Sequence, residues 1–538
     1  MAGRVRDPIS PQRWWGLITA DRLYVSSHGQ DEVNPASTDG VVHFPALVDR
    51  VAELAGDQAI YLVGGAVRDA LLGKPTHDFD FALDGDAIGC ARLVARQLEA
   101  DFYVLDERFG AARVLKENAD GPMEVLDFSS FRGADLSGDL RGRDFTINAI
   151  AFDPRSNQLL DPLHGAQDLR DGLIRACSST AFQDDAIRVL RAIRMAVALD
   201  FRIETESRGQ MKAATGLLSR VSAERQRDEL FKMLGGPRPD AALRAMESIG
   251  ALAAILPELP ALQGVVQAPP HVYDVWNHTL SAVRSLDEIL GVVAFQAEPD
   301  RWNGLLAGIL SGKLGRYRQQ IIQHFDQPSR FERDRRSLLF FAALYHDIAK
   351  PARQYTGDDG RIHFTGHDES GATVVEERIR ALKLSKAETS HIREIVRHHM
   401  RFPLLARAME DQGTQPSKRA IYRFFRAAGT SGVELILLGL ADLRGARGPF
   451  LSDQAWSAFV DTARILFDNY WGSPEQAVSP AQLLDGNDLM RTFGLDEGPV
   501  VGRVLEALRE AQAEGNVSSR QDALEFCERW LEADAGSA

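Results

Sequence analysis

Cysteine is scarce in this chain: there are three in 538 residues, Cys90, Cys177 and Cys527, too far apart for a metal cluster or a disulfide framework. Long apolar runs are missing as well. No run reaches membrane-spanning length, and the opening MAGRVRDPISPQRWW lacks the charged-then-apolar layout of a secretion signal. A cytoplasmic location with no membrane partner is therefore expected. Positive charge is not in excess: 62 Lys and Arg face 76 Asp and Glu, a net charge of −14. That balance argues against a protein that coats nucleic acid indiscriminately, yet leaves room for a local RNA site. Short-period repeats and long low-complexity tracts are absent, and the first forty or so residues carry too little pattern to interpret. What remains is 44% hydrophobic and 26% charged residues in a chain too long for one core, so two to four domains are expected.

Strand-like runs dominate the early part: Ala59 to Val63, Phe79 to Leu83, Phe102 to Leu105, Ala111 to Leu115, Glu124 to Phe128 and Ile150 to Phe152. A helix is expected near Ala87 to Glu99, which makes this a small α/β domain. Beyond about Asp184 the spacing is helical almost throughout. Breaks fall at Gly235-Gly236-Pro237, Ala268-Pro269-Pro270, Asp411 to Ser417 and Gly472-Ser473-Pro474.

The first chemistry-bearing segment runs Tyr61-Leu62-Val63-Gly64-Gly65-Ala66-Val67-Arg68-Asp69, followed closely by His77-Asp78-Phe79-Asp80-Phe81. An apolar strand enters a glycine pair, Gly64 and Gly65, that lets backbone approach a triphosphate. Strand alternation puts Asp78 and Asp80 on one face and Phe79 and Phe81 on the other. Two hard oxygen ligands on one face suit Mg²⁺. A third carboxylate, Asp127, sits in a plausible neighbouring strand. Three carboxylates around two Mg²⁺ ions would activate a terminal hydroxyl for in-line attack on an α-phosphate. The plainer alternatives are a tight turn for the glycines and a strand-end Asp bonded to backbone for Asp127.

The run from Asp184 to Met195 adds a selectivity device. On a helix Asp185, Arg188 and Arg191 are successive i,i+3 neighbours, either a surface ion-pair ladder or a base reader. Cytosine and adenine present an amino donor beside a ring-nitrogen acceptor, so an Asp acceptor with an Arg donor would select C and A without a template. Arginines gather here at Arg188, Arg191, Arg194 and Arg202. A second group, Arg316, Arg318, Arg330, Arg333, Arg335 and Arg336, is expected to be a solvated helix face.

The chain resembles the class II tRNA nucleotidyltransferases, the CCA-adding enzyme and bacterial poly(A) polymerase family of the DNA polymerase beta superfamily. The resemblance rests on LVGGAVRDALLG, HDFDFAL, RGRDFTINAIAFD from Arg141, DPLHGAQDL from Asp161, DDAIRVLRAIRMA from Asp184 and SAERQRDELFKML from Ser222, in family order over residues 59 to 235. It implies triphosphate contacts at Gly65 and Arg68 and metal ligation at Asp78 and Asp80. It also implies nucleotide contacts at Arg143, Asp185, Arg188, Arg191 and Arg194. Two motifs depart from the usual pattern: Gly142-Arg143-Asp144 replaces Arg-Arg-Asp, and Asp184-Asp185 replaces Glu-Asp. Only Gly133 to Leu140 separate Phe131-Arg132 from Arg141, where many CCA-adding members carry a longer flexible loop and CC-only members a shortened one.

Nine of the 13 histidines lie between His271 and His399. Imidazoles and carboxylates brought together by helices make a divalent metal site of unspecified identity. The set resembles the HD phosphohydrolase domain: His278, His346, Asp347 and Asp442 match its core ligands. His367 and one of His398 or His399, with His399 preferred, fit a second metal. If active, the site would hydrolyse phosphoesters, for instance at damaged tRNA ends. A metal there could instead serve only to fix structure. The segment LLDGNDLMRTFGLDEGPVVGRVLEALREAQ reads as two short helices and a longer one from Pro499, weakly similar to the family tail, with Arg491 and Arg503 more in keeping with surface roles than RNA contacts.

The strand and helix pattern with the resemblance implies an α/β nucleotidyltransferase head, DNA polymerase beta-like, followed by an all-α neck, a body with an HD domain, and a tail. The expected boundaries are 1–45 for an N-terminal extension, 46–175 head, 176–240 neck, 241–450 body and 451–538 tail. The partners implied by the resemblance are the tRNA 3′ end, CTP and ATP; oligomeric state is left open. A CC-only enzyme and a poly(A) polymerase share the same head, and a different class of answer makes the HD site the working centre.

Overall fold

The computed structural model describes residues 44–118, 121–294, 304–327, 331–472, 474–478 and 480–535. Almost all of the proposed N-terminal extension, and Arg330, lie outside the described residues. The chain divides into two compact units, one ending at Leu217 and one beginning at Leu218.

The first unit is built on a seven-stranded mixed sheet in the order β3-β4-β5-β2-β1-β6-β7. Its strands are β1 (Ile60–Val63), β2 (Asp78–Leu83), β3 (Asp101–Asp106), β4 (Ala111–Asn118), β5 (Gly121–Ser130), β6 (Ala151–Asp153) and β7 (Gln158–Leu160). Only β2 and β5 run parallel within this sheet; every other pair is antiparallel. Alternation gives the sheet two chemically different faces. Phe79, Phe81, Ala112, Val114, Leu126 and Phe128 are buried on one face, where Phe81 and Phe128 stack with ring centroids 5.2 Å apart. Each such ring contributes roughly 1.5–3 kcal/mol by leaving water, so this face anchors the sheet and frees the other for polar chemistry. The helix α1 (Ala46–Leu54) precedes β1, α2 (Gly65–Leu71) follows it, and α3 (Ala87–Leu98) packs on β3, β4 and β5.

On the opposite face, Val63, Ala82, Ala149, Ala151 and Leu140 form a small core at the β1 and β6 side. Leu140 belongs to α4 (Leu136–Arg141), which Asp135 starts by accepting a hydrogen bond from Gly138 N. The segment read from sequence as a shortened flexible loop is therefore largely an N-capped helix. Beyond β7, α5 (Gly165–Arg170) is held by Asp161, whose carboxylate accepts from Gly165 N and Ala166 N. A Cβ on Gly165 would lie 2.1 Å from Thr146 O, so this contact requires glycine. The single helix expected from Asp184 is interrupted: α6 (Ala181–Asp184) ends, Asp185 is extended at φ −151° and ψ 99°, and α7 spans Arg188–Leu199.

Among the described residues the second unit is helical apart from a two-stranded hairpin at Tyr355–Thr356 and Ile362–His363, which helical spacing did not anticipate. Its core pairs α8 (Val275–Val293) with α9 (Gly432–Arg447). A Cβ on Gly445 would lie 2.9 Å from Ala282 N, so the close crossing depends on that glycine. One helical stretch among the described residues, Lys418–Phe450, is long and apolar enough to cross a membrane by length and composition alone. Its apolar window is 78% buried, and α9 uses that apolarity to pack the body's core. In the second arginine group Arg316 is exposed, as expected of a solvated face, but Arg333, Arg335 and Arg336 are not. Arg333 pairs with Asp228 and Glu388, Arg335 with Glu434 and Arg336 with Asp287. Arg318 donates to Val292 O.

The C-terminal segment has one short helix, α10 (Gly486–Phe493), where two were expected, then α11 (Pro499–Glu514) and α12 (Arg520–Ala535). Arg491 pairs with Asp488, and Arg503 with Asp534, as surface ion pairs. All three cysteines are free. Burial pushes their thiols up, to about 11 for Cys90 and Cys527 and about 12 for Cys177, which removes them from nucleophilic chemistry at neutral pH.

Candidate active site and metal centre

Register places the head carboxylates. Asp80 on β2 stands directly beside Asp127 on the parallel strand β5, and Asp78 lies two residues earlier on the same face. Asp78 is exposed and Asp80 half-buried. Burial raises the pKa of Asp80; Arg143 and Arg191 oppose the rise, while Asp127 and Asp78 add to it. Concentrated negative charge of this kind is what a divalent cation relieves. Asp127 is gripped by Arg113 of β4, whose Nε donates to Oδ1 at 2.7 Å and Nη2 to Oδ2 at 2.8 Å. It is therefore not a strand-end Asp bonded only to backbone.

The glycine pair adjoins this trio. Gly64 has φ +76°, and a Cβ there would sit 2.7 Å from Asp80 Oδ2. Close approach of the turn to Asp80 and a left-handed backbone both demand glycine. At Gly65 the nearest neighbour would be Arg68 Nη2 at an ordinary 3.6 Å. Arg68 holds both carboxylate oxygens of Asp69 at 2.8 Å and donates from Nη1 to Asn148 Oδ1 at 2.8 Å. Asn148 in turn donates to Asp144 Oδ1, and Asp144 Oδ2 accepts from Arg191. Burial would raise Asp144, but the Arg191 charge and hydrogen bonds from Asn148, Arg191 and Phe145 N hold it below the ordinary carboxylate range.

Arg143 is aimed by the buried Asp139, which accepts from its Nε and Nη2 at 3.1 and 3.0 Å. The residues Asp139, Asp144 and Asn148 were not singled out from sequence, although RGRDFTINAI carries Asp144 and Asn148 one helical turn apart. Arg188 is buried, and donates to Ala181 O and Gly142 O rather than to Asp185. Asp185 precedes α7 in extended backbone, so Asp185, Arg188 and Arg191 do not lie on one continuous helix. Arg194 is half-buried on α7.

In the second unit two triads meet at one aspartate. His278 of α8, His346 and Asp442 of α9 form the first, and Asp347, His367 and His399 the second. Asp347 Oδ2 lies 3.3 Å from His278 Nε2 and 3.2 Å from His346 Nε2, while Oδ1 lies 3.3 Å from His367 Nε2 and 3.8 Å from His399 Nε2. Asp442 Oδ1 is 3.0 Å from His278 Nε2. The Nδ1 atoms of His346, His367 and His399 are hydrogen-bonded to the carbonyls of Ala343, Phe364 and Val396 at 2.7, 2.8 and 2.7 Å. These bonds aim each Nε2 inward, the usual support for a metal-ligating imidazole. His398 instead pairs with Glu394, which leaves His399 as the inward member of that dipeptide.

Burial would raise Asp347 and Asp442, but the facing imidazoles, with Lys350 at Asp347, hold both well below the ordinary range. His399 falls to about 3 through burial and its neighbours His346 and His367, which keeps it neutral. Burial would lower His346, yet Asp347 and Asp442 lift it to about 10. The cluster attracts positive charge, and its mixed nitrogen and oxygen donors fit divalent cations. Lys350, in the HDIAKP segment but unassigned from sequence, sits 2.6 Å from Asp347 Oδ2 and bonds Gln267 Oε1 at 2.7 Å.

Comparison with known proteins agrees with the order of these regions along the chain. Residues 60–175 match the poly A polymerase head domain, 200–262 the probable RNA and SrmB-binding site of polymerase A, and 304–427 the HD domain. His278 and Asp442 fall outside that last span. An A-adding tRNA nucleotidyltransferase of Deinococcus radiodurans is 33% identical over 484 residues, 88% of this chain and 96% of the relative. A CC-adding tRNA nucleotidyltransferase of Thermus thermophilus is 30% identical over 476 residues, 87% of this chain and 93% of the relative. The fold is that of the Thermotoga maritima CCA-adding enzyme complexed with tRNA, with a TM-score of 0.54 at 21% identity over 91% of this chain and 97% of that one. A CCA-adding enzyme with CTP gives a TM-score of 0.57 at 20% identity over 91% and 96% of the two chains.

These matches define a nucleotidyltransferase with a mixed-sheet polymerase head, then helical regions and an HD domain. The head and HD families both imply divalent-metal use. The chain belongs to the tRNA nucleotidyltransferase family.

Proposed function

We propose that this enzyme transfers CMP and AMP from CTP and ATP to the 3′ end of tRNA without a template, releasing pyrophosphate. The observation that carries the reading is Asp80 in register with Asp127, with Asp78 on the same face, beside the Gly64 turn. Asp78, Asp80 and Asp127 would hold Mg²⁺, which polarises the α-phosphate and neutralises charge on the departing pyrophosphate. The glycine pair, Gly64 and Gly65, and Arg68 receive the triphosphate. The RNA 3′ oxygen bonds to the α-phosphorus as the α–β bridging oxygen leaves with pyrophosphate, and a carboxylate of the trio takes up the hydroxyl proton.

Base choice falls to Asp185 as acceptor and Arg188 as donor, with Arg143, Arg191 and Arg194 contacting the nucleotide. The bonds to Ala181 O and Gly142 O fix the Arg188 guanidinium, whose five N–H donors exceed what those two bonds use. We assign residues 46–175 to the head, 176–240 to the neck, 241–450 to the body and 451–538 to the tail. The relatives' role in bacterial tRNA processing supports a cytoplasmic setting.

The test is incubation of the purified protein and Mg²⁺ with tRNA lacking its CCA end, using CTP, ATP or both, and sizing products to one nucleotide. Addition of C, C and A is expected. Arrest at CC would tie the short 133–140 segment to a CC-only enzyme, a long A tail would indicate a poly(A) polymerase, and no extension would overturn the reading.

A second reading concerns the body, because Asp347, a member of one ligand triad, also faces His278 and His346 of the other. His278, His346, Asp347 and Asp442 would hold one divalent cation and Asp347, His367 and His399 another, for phosphoester hydrolysis. Phosphate release that survives Asp80→Ala and disappears in Asp347→Ala would support it.

A further inference from the structure

The carboxylate face of the head continues across the sheet beyond the three aspartates. Asp80 pairs in register with Asp127, Asp127 with Arg113, and Arg113 with Tyr103 of the edge strand β3. Residues facing each other across paired strands project from the same face, so these four side chains form one row. With strands about 4.8 Å apart, the row carries Tyr103 about 14 Å from Asp80.

The two ends of the face differ. The β1 and β6 side is covered by Leu140 and its neighbours. The β3 end is open: Tyr103 is 51% exposed, with Leu105, Phe109 and Met123 also exposed nearby in sequence or on β5. An exposed tyrosine in line with a catalytic trio is an unusual use of surface, since edge strands are normally blunted by charge. Asp101 lies next to Tyr103 on that face, paired with Leu115, and would repel a phosphate more than a base.

Chemistry sets which substrate comes from which side. In-line displacement puts the attacking hydroxyl opposite the leaving pyrophosphate. The Gly64 turn and Arg68, which take the triphosphate, lie on the β1 side of the aspartates. The RNA strand therefore approaches over β5, β4 and β3.

We propose that the Asp127–Arg113–Tyr103 row is a ledge for the 3′-terminal strand of the RNA acceptor, on which Tyr103 stacks a base upstream of the reacting hydroxyl. Arg113 holds Asp127 and offers its remaining donors to a phosphodiester between the two. This rests on the transferase reading above and extends it to the path of the acceptor. Stacking on an aromatic ring tolerates any base, as a surface that must accept a growing end requires.

The test uses full-length protein with Mg²⁺, tRNA lacking its CCA end, and CTP, measuring KM for each substrate in wild type, Tyr103→Ala and Tyr103→Trp. Tyr103→Ala is expected to raise the tRNA KM about tenfold, in the range of one lost base stack, with the CTP KM unchanged. Tyr103→Trp is expected to remain within about twofold of wild type, because its larger ring still stacks. An unchanged tRNA KM in Tyr103→Ala, an equal rise in both KM values, or a Trp variant as poor as Ala would overturn the ledge. Wild-type protein that extends no tRNA would overturn the transferase reading itself, whereas active wild type with an unaffected Tyr103→Ala sinks only the ledge.

Discussion

Arg191 holds Oδ2 of Asp144 with two donors, Nε at 2.9 Å and Nη2 at 2.7 Å, across 47 residues of sequence. Asp144 also accepts from Asn148, which accepts from Arg68. A continuous polar chain therefore links the triphosphate turn to the helix proposed to read the base. Removing the buried carboxylate in Asp144→Ala should cost about 2 kcal/mol, below the usual penalty for a broken buried pair because Arg191 is a third exposed. Asp78→Ala, at an exposed position, should leave stability within about 0.5 kcal/mol of wild type while abolishing transfer. Chemical denaturation of both variants checks the contrast; equal stabilities would mean the chain carries no load.

The two glycines of the turn should behave differently. Gly64→Ala forces a Cβ against Asp80 Oδ2 at a left-handed φ, so it should lose about 1–3 kcal/mol of stability and at least a hundredfold in transfer. Gly65→Ala meets only ordinary contact in the protein itself. Its effect should appear as a raised KM for CTP with an unchanged melting temperature. Reversal of that order, with Gly65→Ala the less stable, would show that the turn is misplaced.

Much of the head was legible because period-two alternation and glycine are strong signals. Phe79 and Phe81 against Asp78 and Asp80 assigned both faces of β2 correctly, and Asp127 fell where parallel pairing put it. What failed was local backbone at polar positions. The Asp184 to Met195 run has helical spacing throughout, yet Asp185 is extended and Arg188 caps carbonyls of Ala181 and Gly142, a choice made by tertiary contacts. Arg333, Arg335 and Arg336 look like a solvated face until the buried Glu388 and Glu434 and the half-buried Asp287 arrive from distant helices. The histidine cluster was readable from residue type and order, but not the position of Asp347 between the two triads, which depends on how five segments converge.

That position predicts metal stoichiometry. Asp78→Ala/Asp80→Ala protein, whose head has lost its metal carboxylates, should retain two ions per chain by elemental analysis after loading with Mn²⁺ and gel filtration. In that background His367→Ala or His399→Ala should retain one, and Asp347→Ala none, while His398→Ala should match the parent because its partner is Glu394. Chelation should lower the melting temperature of the parent and leave Asp347→Ala in the same background unmoved, since binding to the folded state alone is what stabilises it. Full retention in Asp347→Ala would rule out a bridging carboxylate.

A second buried cluster predicts a pH response unrelated to the metal residues. Glu434 is fully buried, with His324 Nε2 at 2.9 Å, Arg335 Nη1 at 3.2 Å and His391 Nε2 at 3.4 Å. Burial alone would raise its carboxyl, but hydrogen bonds and charge from His324 and His391 hold it far below its ordinary value of 4.5. A depressed folded-state value contributes stability that is complete above 4.5 and is lost as pH falls from there toward the folded value. Glu434→Gln should therefore be about 3 kcal/mol less stable than wild type at pH 7. The gap should close as pH falls below 4.5, because only the wild type loses stability through this group. Denaturation midpoints compared from neutral pH into the acid range decide it, and a gap that stays constant would mean Glu434 is not charged in the folded protein.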